Sequence, residues 1–171
     1  RLLYESVGAD LSRLANNLNK LKISMPQDKT QMQTDDIAVN IGVHRDFNVF
    51  ELQKALGMKD SSRVYNIIDY FAKDPKNNPL VFTIAQIFEY FLKIIKYQIL
   101  KDKSKNNVAA ELGISPYFTD EYSNASRNFS LKKLVNIISY IRECDLKSKG
   151  VGAASISEGD LLKELAYKIL H

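Results

Sequence analysis

The segment 80–100, LVFTIAQIFEYFLKIIKYQIL, constrains the fold of this chain more than any other. Apolar residues recur in it at spacings of three and four, which is the period of one face of an α-helix. The apolar stripe is predicted to consist of Ile84, Phe88, Phe91, Ile95 and Ile99. The polar side, which is predicted to face water, consists of Gln86, Glu89, Lys93 and Lys96.

A membrane span is not expected from this segment, although it is long enough for one. Glu89, Lys93 and Lys96 would each have to enter hydrocarbon, at a cost of about 3 kcal/mol per residue. The segment is therefore predicted to be the central helix of a globular core. It begins after Pro79, at a position where a missing N–H costs nothing.

The composition narrows the functional classes. The chain has 171 residues, with 24 Lys plus Arg against 20 Asp plus Glu and a net charge of +4, whereas a dedicated nucleic-acid module usually has a denser basic face. Cys144 is the single cysteine, so no internal disulfide forms and a reducing cytoplasm is expected. His44 and His171 have no second cysteine or histidine near them in sequence. No zinc or other metal site and no cofactor site is therefore expected.

The rest of the chain predicts helices and no strand. Leucines at helical spacing predict a first helix within 10–26, and Thr34 followed by the acidic residues 35 and 36 predicts the start of a short helix that ends at Gly42. Further helices are predicted over 48–57, 60–72, 108–113, 116–128, from 131 onward and over 161–170. The predicted fold class is all-α, with a short helical fragment in 1–43 followed by a helical bundle in 44–171.

Local end signals support these helices. Asn48 with Glu51 three residues later is a candidate capping box, and Gly57 is a candidate left-handed C-cap. Ser130 and Ser157 are candidate N-caps of the last two helices. The helix after Ser130 is predicted to bury Leu131, Leu134, Val135, Ile138 and Ile141.

The sequence shows no catalytic motif. It has no phosphate-binding loop of the GxxxxGK[ST] type, no HExxH pair and no GxSxG turn. Cys144 is expected to be a small buried apolar residue, because no histidine is placed to activate it. An enzyme that uses Cys144 is the one catalytic hypothesis left, and no catalytic residue is predicted.

A helix-turn-helix DNA-binding site is the alternative function. Residues 108–115, VAAELGIS, resemble the first helix and glycine turn of such a motif, and 116–128 would be the recognition helix. That helix carries two acidic residues near the end that would approach DNA, and Arg127 is its only basic residue. Phosphates would repel the acidic end. Two short packed helices joined by a tight glycine turn are the competing interpretation.

A basic loop over 147–154 contains a second candidate site. Lys147, Lys149 and Gly150 combine ammonium groups with a glycine backbone, and exposed backbone N–H groups of this kind bind anions. We predict an anion or subunit contact at these three residues. The competing interpretation is a basic helix C-terminus that ends at glycine.

Five segments occur in order along the chain. They are RDFNVFELQKALG (45–57), PKNNP (75–79), NVAAELGISPYF (107–118), ASRN (125–128) and DLKSKGVG (145–152). Together they resemble the delta subunit of bacterial DNA polymerase III, and VGADLSRLANNLNKLKI (7–23) resembles the end of the AAA+ lid domain of that family. The resemblance implies that 1–43 are the end of the lid and that 44–171 are the C-terminal collar domain.

The resemblance also implies a function. The chain would be a non-catalytic subunit of the DNA polymerase III holoenzyme, and it would help to assemble the clamp loader that places the sliding clamp on DNA. Its expected partners are the ATPase subunit and delta prime, which it would meet through the collar. The clamp would be bound only by the family's N-terminal domain, which is expected to be missing from this chain, and DNA would be met indirectly through the loader. The expected location is the bacterial cytoplasm, away from any membrane.

Three tyrosines are predicted as subunit-interface residues. Tyr90, Tyr97 and Tyr140 lie beside apolar stripes, on or near polar faces of their predicted helices. Tyrosine suits an interface because it combines an apolar ring with a polar hydroxyl. Tyrosines at the edge of the core, with solvated hydroxyls, are the competing interpretation.

Overall fold

The structure is a computed structural model, and it describes residues 15–16, 18–19, 22, 47–152 and 156–171. The chain divides into two units, Arg1–Asn48 and Val49–His171. Five positions of the first predicted helix are described and are helical. The rest of that helix, the short helix predicted up to Gly42 and the predicted boundary before residue 44 lie outside the described residues.

Seven α-helices and one 3₁₀ turn make up the second unit within the described residues. No strand occurs among those residues, so the prediction of an all-α fold is confirmed. The elements are α1 (Val49–Gly57), α2 (Ser61–Lys73), α3 (Leu80–Ile99), α4 (Lys105–Leu112), a 3₁₀ turn (Pro116–Phe118), α5 (Thr119–Asn128), α6 (Leu131–Ser148) and α7 (Glu158–Leu170).

Side-chain caps explain where three of the helices begin. The Asp60 carboxylate accepts a hydrogen bond of 3.0 Å from the Arg63 N–H at the start of α2. Ser130 Oγ accepts one of 3.2 Å at the start of α6, and Ser157 Oγ accepts one of 3.1 Å from the Asp160 N–H at the start of α7. Each cap satisfies a backbone N–H that has no partner within its helix. The predicted N-caps Ser130 and Ser157 are confirmed.

The predicted left-handed cap at Gly57 is wrong. Gly57 is still helical, and Lys59 is the residue with a positive φ, of 56°. The Asp60 N–H donates to Ala55 O at 2.9 Å and the Lys59 N–H donates to Leu56 O at 3.1 Å, which is the bond pair of a Schellman motif. Gly57 is instead a point of close helix contact, because an added β-carbon there would lie 2.1 Å from Tyr90 Oη.

Gly113 ends α4 as the sequence predicts. It has a φ of 63°, and its N–H donates to Ala110 O. We expect Gly113→Ala to lower the free energy of unfolding by about 1 kcal/mol, because this backbone conformation brings a β-carbon too close to the following carbonyl. Apart from its two chain neighbours, no described residue has an atom within 4 Å of a β-carbon added at Gly113, so backbone strain acts alone. Urea unfolding measures the loss, which should be smaller for Gly113→Asn, since asparagine tolerates this region. Equal losses would contradict the explanation.

The long helix α3 lies at the centre of this unit and packs against α1, α4, α5 and α6. Its buried face is rotated from the prediction, so the predicted stripe is only partly right. Ile84 and Phe91 are buried as expected, but Phe88 and Ile95 are half-buried and Ile99 is 65% exposed. The buried face consists of Leu80, Thr83, Ile84, Ile87, Tyr90, Phe91, Ile94 and Tyr97.

The core face of α6 differs from its prediction in the same way. Leu134 and Ile141 are buried as predicted, whereas Leu131 and Val135 are exposed. Ile137 and Cys144 take the remaining core positions.

Polar contacts fix the end of α3. Gln98 Nε2 donates to the carbonyl oxygens of Ser126 at 2.8 Å and of Phe129 at 2.7 Å, directly before α6 begins.

Candidate subunit-interface site

Two of the three predicted interface tyrosines lie in the core. Tyr90 is 1% exposed and Tyr97 is 8% exposed, both on the buried face of α3. The third, Tyr140 on α6, is half-buried, and its ring lies 5.7 Å from Lys133 Nζ and 5.8 Å from Lys168 Nζ. The structure therefore does not bring the three tyrosines together as one exposed surface. Their role in a subunit contact stays a prediction.

The Tyr90 hydroxyl has an unusual environment. It is buried and has no hydrogen-bond partner among the described residues. Its ring lies 5.3 Å from the ring of Tyr122 and 5.5 Å from that of Phe91. Burial raises the pKa of the phenol well above its usual range, and the nearby Glu121 carboxylate adds to the shift. The group stays neutral, so Tyr90 acts as a packing residue whose hydroxyl fits above Gly57.

Lys147 belongs to a closed ring of four ionised side chains that joins α6 to α7. Its Nζ lies 2.9 Å from Glu143 and 2.8 Å from Glu164. Lys168 completes the ring, at 2.7 Å from Glu164 and 2.9 Å from Glu143. Hydrogen bonding to Glu164 raises the pKa of Lys147, and hydrogen bonding to Lys147 lowers the pKa values of both carboxyls. Two cations and two anions balance, so the ring presents no net charge to an anion.

The other two residues of the predicted anion contact also have partners within the chain. Lys149 Nζ lies 2.6 Å from the Asp145 carboxylate, one turn earlier. Gly150 has a φ of 84°, and its N–H donates to Lys147 O at 2.9 Å. This geometry fits the competing interpretation of a basic helix end closed by glycine. This geometry does not test the predicted anion or subunit contact at Lys147, Lys149 and Gly150, which stays a prediction.

The sequence offers two local signals for the ionic ring. Glu143 and Lys147 are one helical turn apart on α6, and Glu164 and Lys168 are one turn apart on α7, a spacing that favours ion pairs. The Lys147–Glu164 pair spans seventeen residues and two helices, so no local pattern indicates it.

Acid is expected to weaken the ring and with it the folded state. Because Glu143 and Glu164 have lowered pKa values in the fold, their ionised forms stabilise it above the ordinary glutamate pKa, and this contribution is lost as pH falls through the lowered values. We expect Glu143→Gln/Glu164→Gln to reduce the loss of stability between about pH 6 and about pH 3. Urea unfolding at both pH values measures this. Glu89→Gln is the control, since Glu89 forms no ion pair within the described residues, and an equal reduction in both variants would contradict the role of the ring.

The helices of the helix-turn-helix alternative are present, but the second is packed into the core. Thr119, Tyr122 and Ala125 of α5 are buried, and α5 packs on α1 and α3. The exposed Asp120 at its start lies 2.8 Å from Lys105 Nζ, and burial raises the pKa of Glu121. A recognition helix needs a free face with donors for DNA. The geometry favours the competing interpretation of two packed helices.

Cys144 lies in a small cavity lined in part by Tyr140, Leu161 and Leu165. It is 5% exposed, and its Sγ lies 3.7 Å from Leu161 O. Burial, with a smaller effect of Glu164, raises the pKa of the thiol to about 11. The thiolate is the reactive form of cysteine, so burial and the raised pKa both disfavour reaction of this thiol at neutral pH. It fills the core as the sequence predicts.

Two general features of the described residues concern metal binding and membranes. No group of three or more histidine, cysteine or acidic residues there could hold a metal ion. In the same part of the chain, no helix is long and apolar enough to cross a bilayer.

The fold and these contacts define the class of protein as an all-helical domain. Apolar helix faces form its core, and most of its ion pairs join neighbouring elements. Comparison with known proteins gives the particular family. Residues 46–156 match the model of the DNA polymerase III delta subunit, C-terminal domain. The chain therefore belongs to that family, as the five sequence segments indicate.

A solved structure shows the same fold. The chain is similar to the Bacillus subtilis DNA clamp loader delta protein, with a TM-score of 0.65 and 22% identity. The match covers 98% of this chain and 48% of that one, so the chain spans about half the length of that relative. No curated protein matches the chain.

Proposed function

We propose that the chain is the assembly part of a clamp-loader delta subunit. Residues 44–171 would be the collar domain and 1–43 the end of the AAA+ lid. The family match over 46–156, which lies inside the proposed collar, carries this proposal. The packed helical bundle supports it, because a domain that holds subunits together needs apolar surface and no reaction centre.

The proposed partners are the other clamp-loader subunits, namely the ATPase subunit and delta prime, and they would be met through the collar. Contact with the sliding clamp belongs to the N-terminal domain of the family, and contact with DNA is indirect through the loader. In this role the chain contributes no catalytic group to DNA synthesis. Its place of action would be the bacterial cytoplasm.

Light scattering after size-exclusion chromatography tests the proposal. The chain is mixed with the ATPase subunit and delta prime from the same organism. We expect a stable mixed complex whose mass includes one copy of the 19.5 kDa chain. If neither the chain by itself nor the full-length subunit that contains it forms a complex with these partners, the proposal is wrong.

A further inference from the structure

A second apolar stripe runs along α3 outside the core. We call it the outer stripe. Val81, Ala85 and Leu92 are exposed, Ile99 is 65% exposed, and the residues between them are half-buried. The outer stripe consists of Val81, Ala85, Phe88, Leu92, Ile95 and Ile99. It is about 27 Å long at the rise of an α-helix.

The outer stripe has no function in the core of this unit. The opposite face of α3, with Ile87 and Ile94 fully buried, already supplies the packing against neighbouring helices. A helix that is apolar on one face only can be solvated on the other, whereas a helix that is apolar on two faces is usually buried on both. Long exposed apolar patches of this kind mark contacts with another macromolecule.

The spacing of the outer stripe identifies the shape of that partner. Its residues follow one another at intervals of four, three, four, three and four. This is the seam of a coiled coil, in which side chains of one helix fit between those of a second helix lying alongside it. An extended strand or a loop would not match this repeat over five turns. The geometry therefore favours an amphipathic helix as the occupant.

The rim of the outer stripe adds a condition of charge. Glu89 and Lys93 lie one turn apart beside the stripe, and neither forms an ion pair within the described residues. By contrast, Lys96 on the same rim lies 3.3 Å from the Glu111 carboxylate. A partner helix can complement the first two charges with a base opposite Glu89 and an acid opposite Lys93. Such rim pairs fix partner choice and direction in paired helices.

We propose that the outer stripe of α3 is the lateral contact of the collar, and that its occupant is an amphipathic helix of another clamp-loader subunit, with a heptad apolar seam and a rim that pairs with Glu89 and Lys93. This inference rests on the proposed function and names the surface that performs it. The contact differs from the three predicted tyrosines, of which Tyr90 and Tyr97 face the opposite side of the same helix.

Disruption of the stripe tests the proposal. We expect Leu92→Glu to weaken assembly of the chain with the other clamp-loader subunits by tenfold or more, as measured by titration. Val135→Glu is the matched control, because Val135 is an exposed apolar residue on α6 outside the stripe. Circular dichroism and urea unfolding check that both variants fold. Equal weakening by the two variants, or none by Leu92→Glu, overturns the proposal.

Labelling of an introduced thiol gives a second test, which does not disrupt the contact. Ala85→Cys places a small thiol on the stripe, and Val135→Cys is its control, while the native Cys144 is buried and contributes no fast reaction. We expect assembly to slow the labelling of Ala85→Cys at least tenfold and to leave Val135→Cys unchanged. If the mixed complex forms without protection, the surface assignment is wrong. If no mixed complex forms with the unaltered chain, the proposed function itself fails. Protection in the chain alone at high concentration assigns the stripe to a second copy and overturns the occupant.

Discussion

Gly57→Ala is expected to lower the free energy of unfolding by about 2 kcal/mol, although alanine is the better helix former. Helix propensity favours alanine over glycine by about 0.5–1 kcal/mol, whereas overpacking a core costs about 1–3 kcal/mol. An added β-carbon would lie 2.1 Å from Tyr90 Oη and 3.1 Å from the β-carbon of Ala125. The clash dominates because the Tyr90 ring is enclosed and cannot turn toward solvent. Urea unfolding, followed by circular dichroism, measures the loss.

The Tyr90 hydroxyl is the group responsible, and a double-mutant cycle isolates it. Tyr90→Phe alone removes a buried hydroxyl that has no hydrogen-bond partner among the described residues, so it should raise stability by about 1 kcal/mol. In that background the nearest ring atom of residue 90 is 3.1 Å from the added β-carbon, a contact that a small shift relieves. Gly57→Ala should therefore cost much less in the Tyr90→Phe protein. An equal cost in both backgrounds would show that the hydroxyl is not the cause.

The parts of the fold that the sequence predicts are those decided within a few residues. Ser130 and Ser157 each accept a hydrogen bond from an N–H three residues later, and Gly113 adopts its left-handed conformation within its own turn. These interactions depend on residues that are adjacent in the sequence. Helix starts and ends, and with them the all-α fold, could therefore be predicted without knowing what each helix packs against.

Gly57 shows where local prediction stops. A glycine near the end of an apolar pattern is typical of a C-cap, yet its value here is the space that it leaves for a side chain thirty-three residues later on α3. α1 ends at Gly57, and the left-handed residue that closes it is Lys59, two residues further on, in a conformation that favours glycine. Nothing in the sequence around Gly57 shows that Tyr90 approaches it. The same contact buries Tyr90, which the sequence places at the edge of an apolar stripe.

The buried face of α3 could not be predicted either, and the reason is different. Both its core face and its outer stripe follow helical spacing, so two sets of apolar residues satisfy the same test. The predicted stripe combines members of both, with Ile84 and Phe91 from the core face and Phe88, Ile95 and Ile99 from the outer stripe. Periodicity shows that a helix is apolar on some side. Which side faces its own domain depends on the neighbouring helices, and a second apolar side remains for a partner.

Ile94→Ala and Ile99→Ala provide a matched test of this assignment, since both remove the same atoms from one helix. Ile94 is fully buried on the core face, so its replacement should cost about 3 kcal/mol of unfolding free energy through lost burial and a residual cavity. Ile99 is 65% exposed on the outer stripe, and its replacement should change stability by less than about 0.5 kcal/mol. Urea unfolding of both variants measures the difference.

Similar losses in the two variants would contradict the rotation of α3. The expected contrast also concerns function. The isolated domain does not need Ile99 for folding, yet this apolar side chain is exposed to water at the end of the outer stripe. Selection for folding alone would not require an apolar side chain at that position. A partner helix lying along the outer stripe would supply the burial that Ile99 lacks within its own chain.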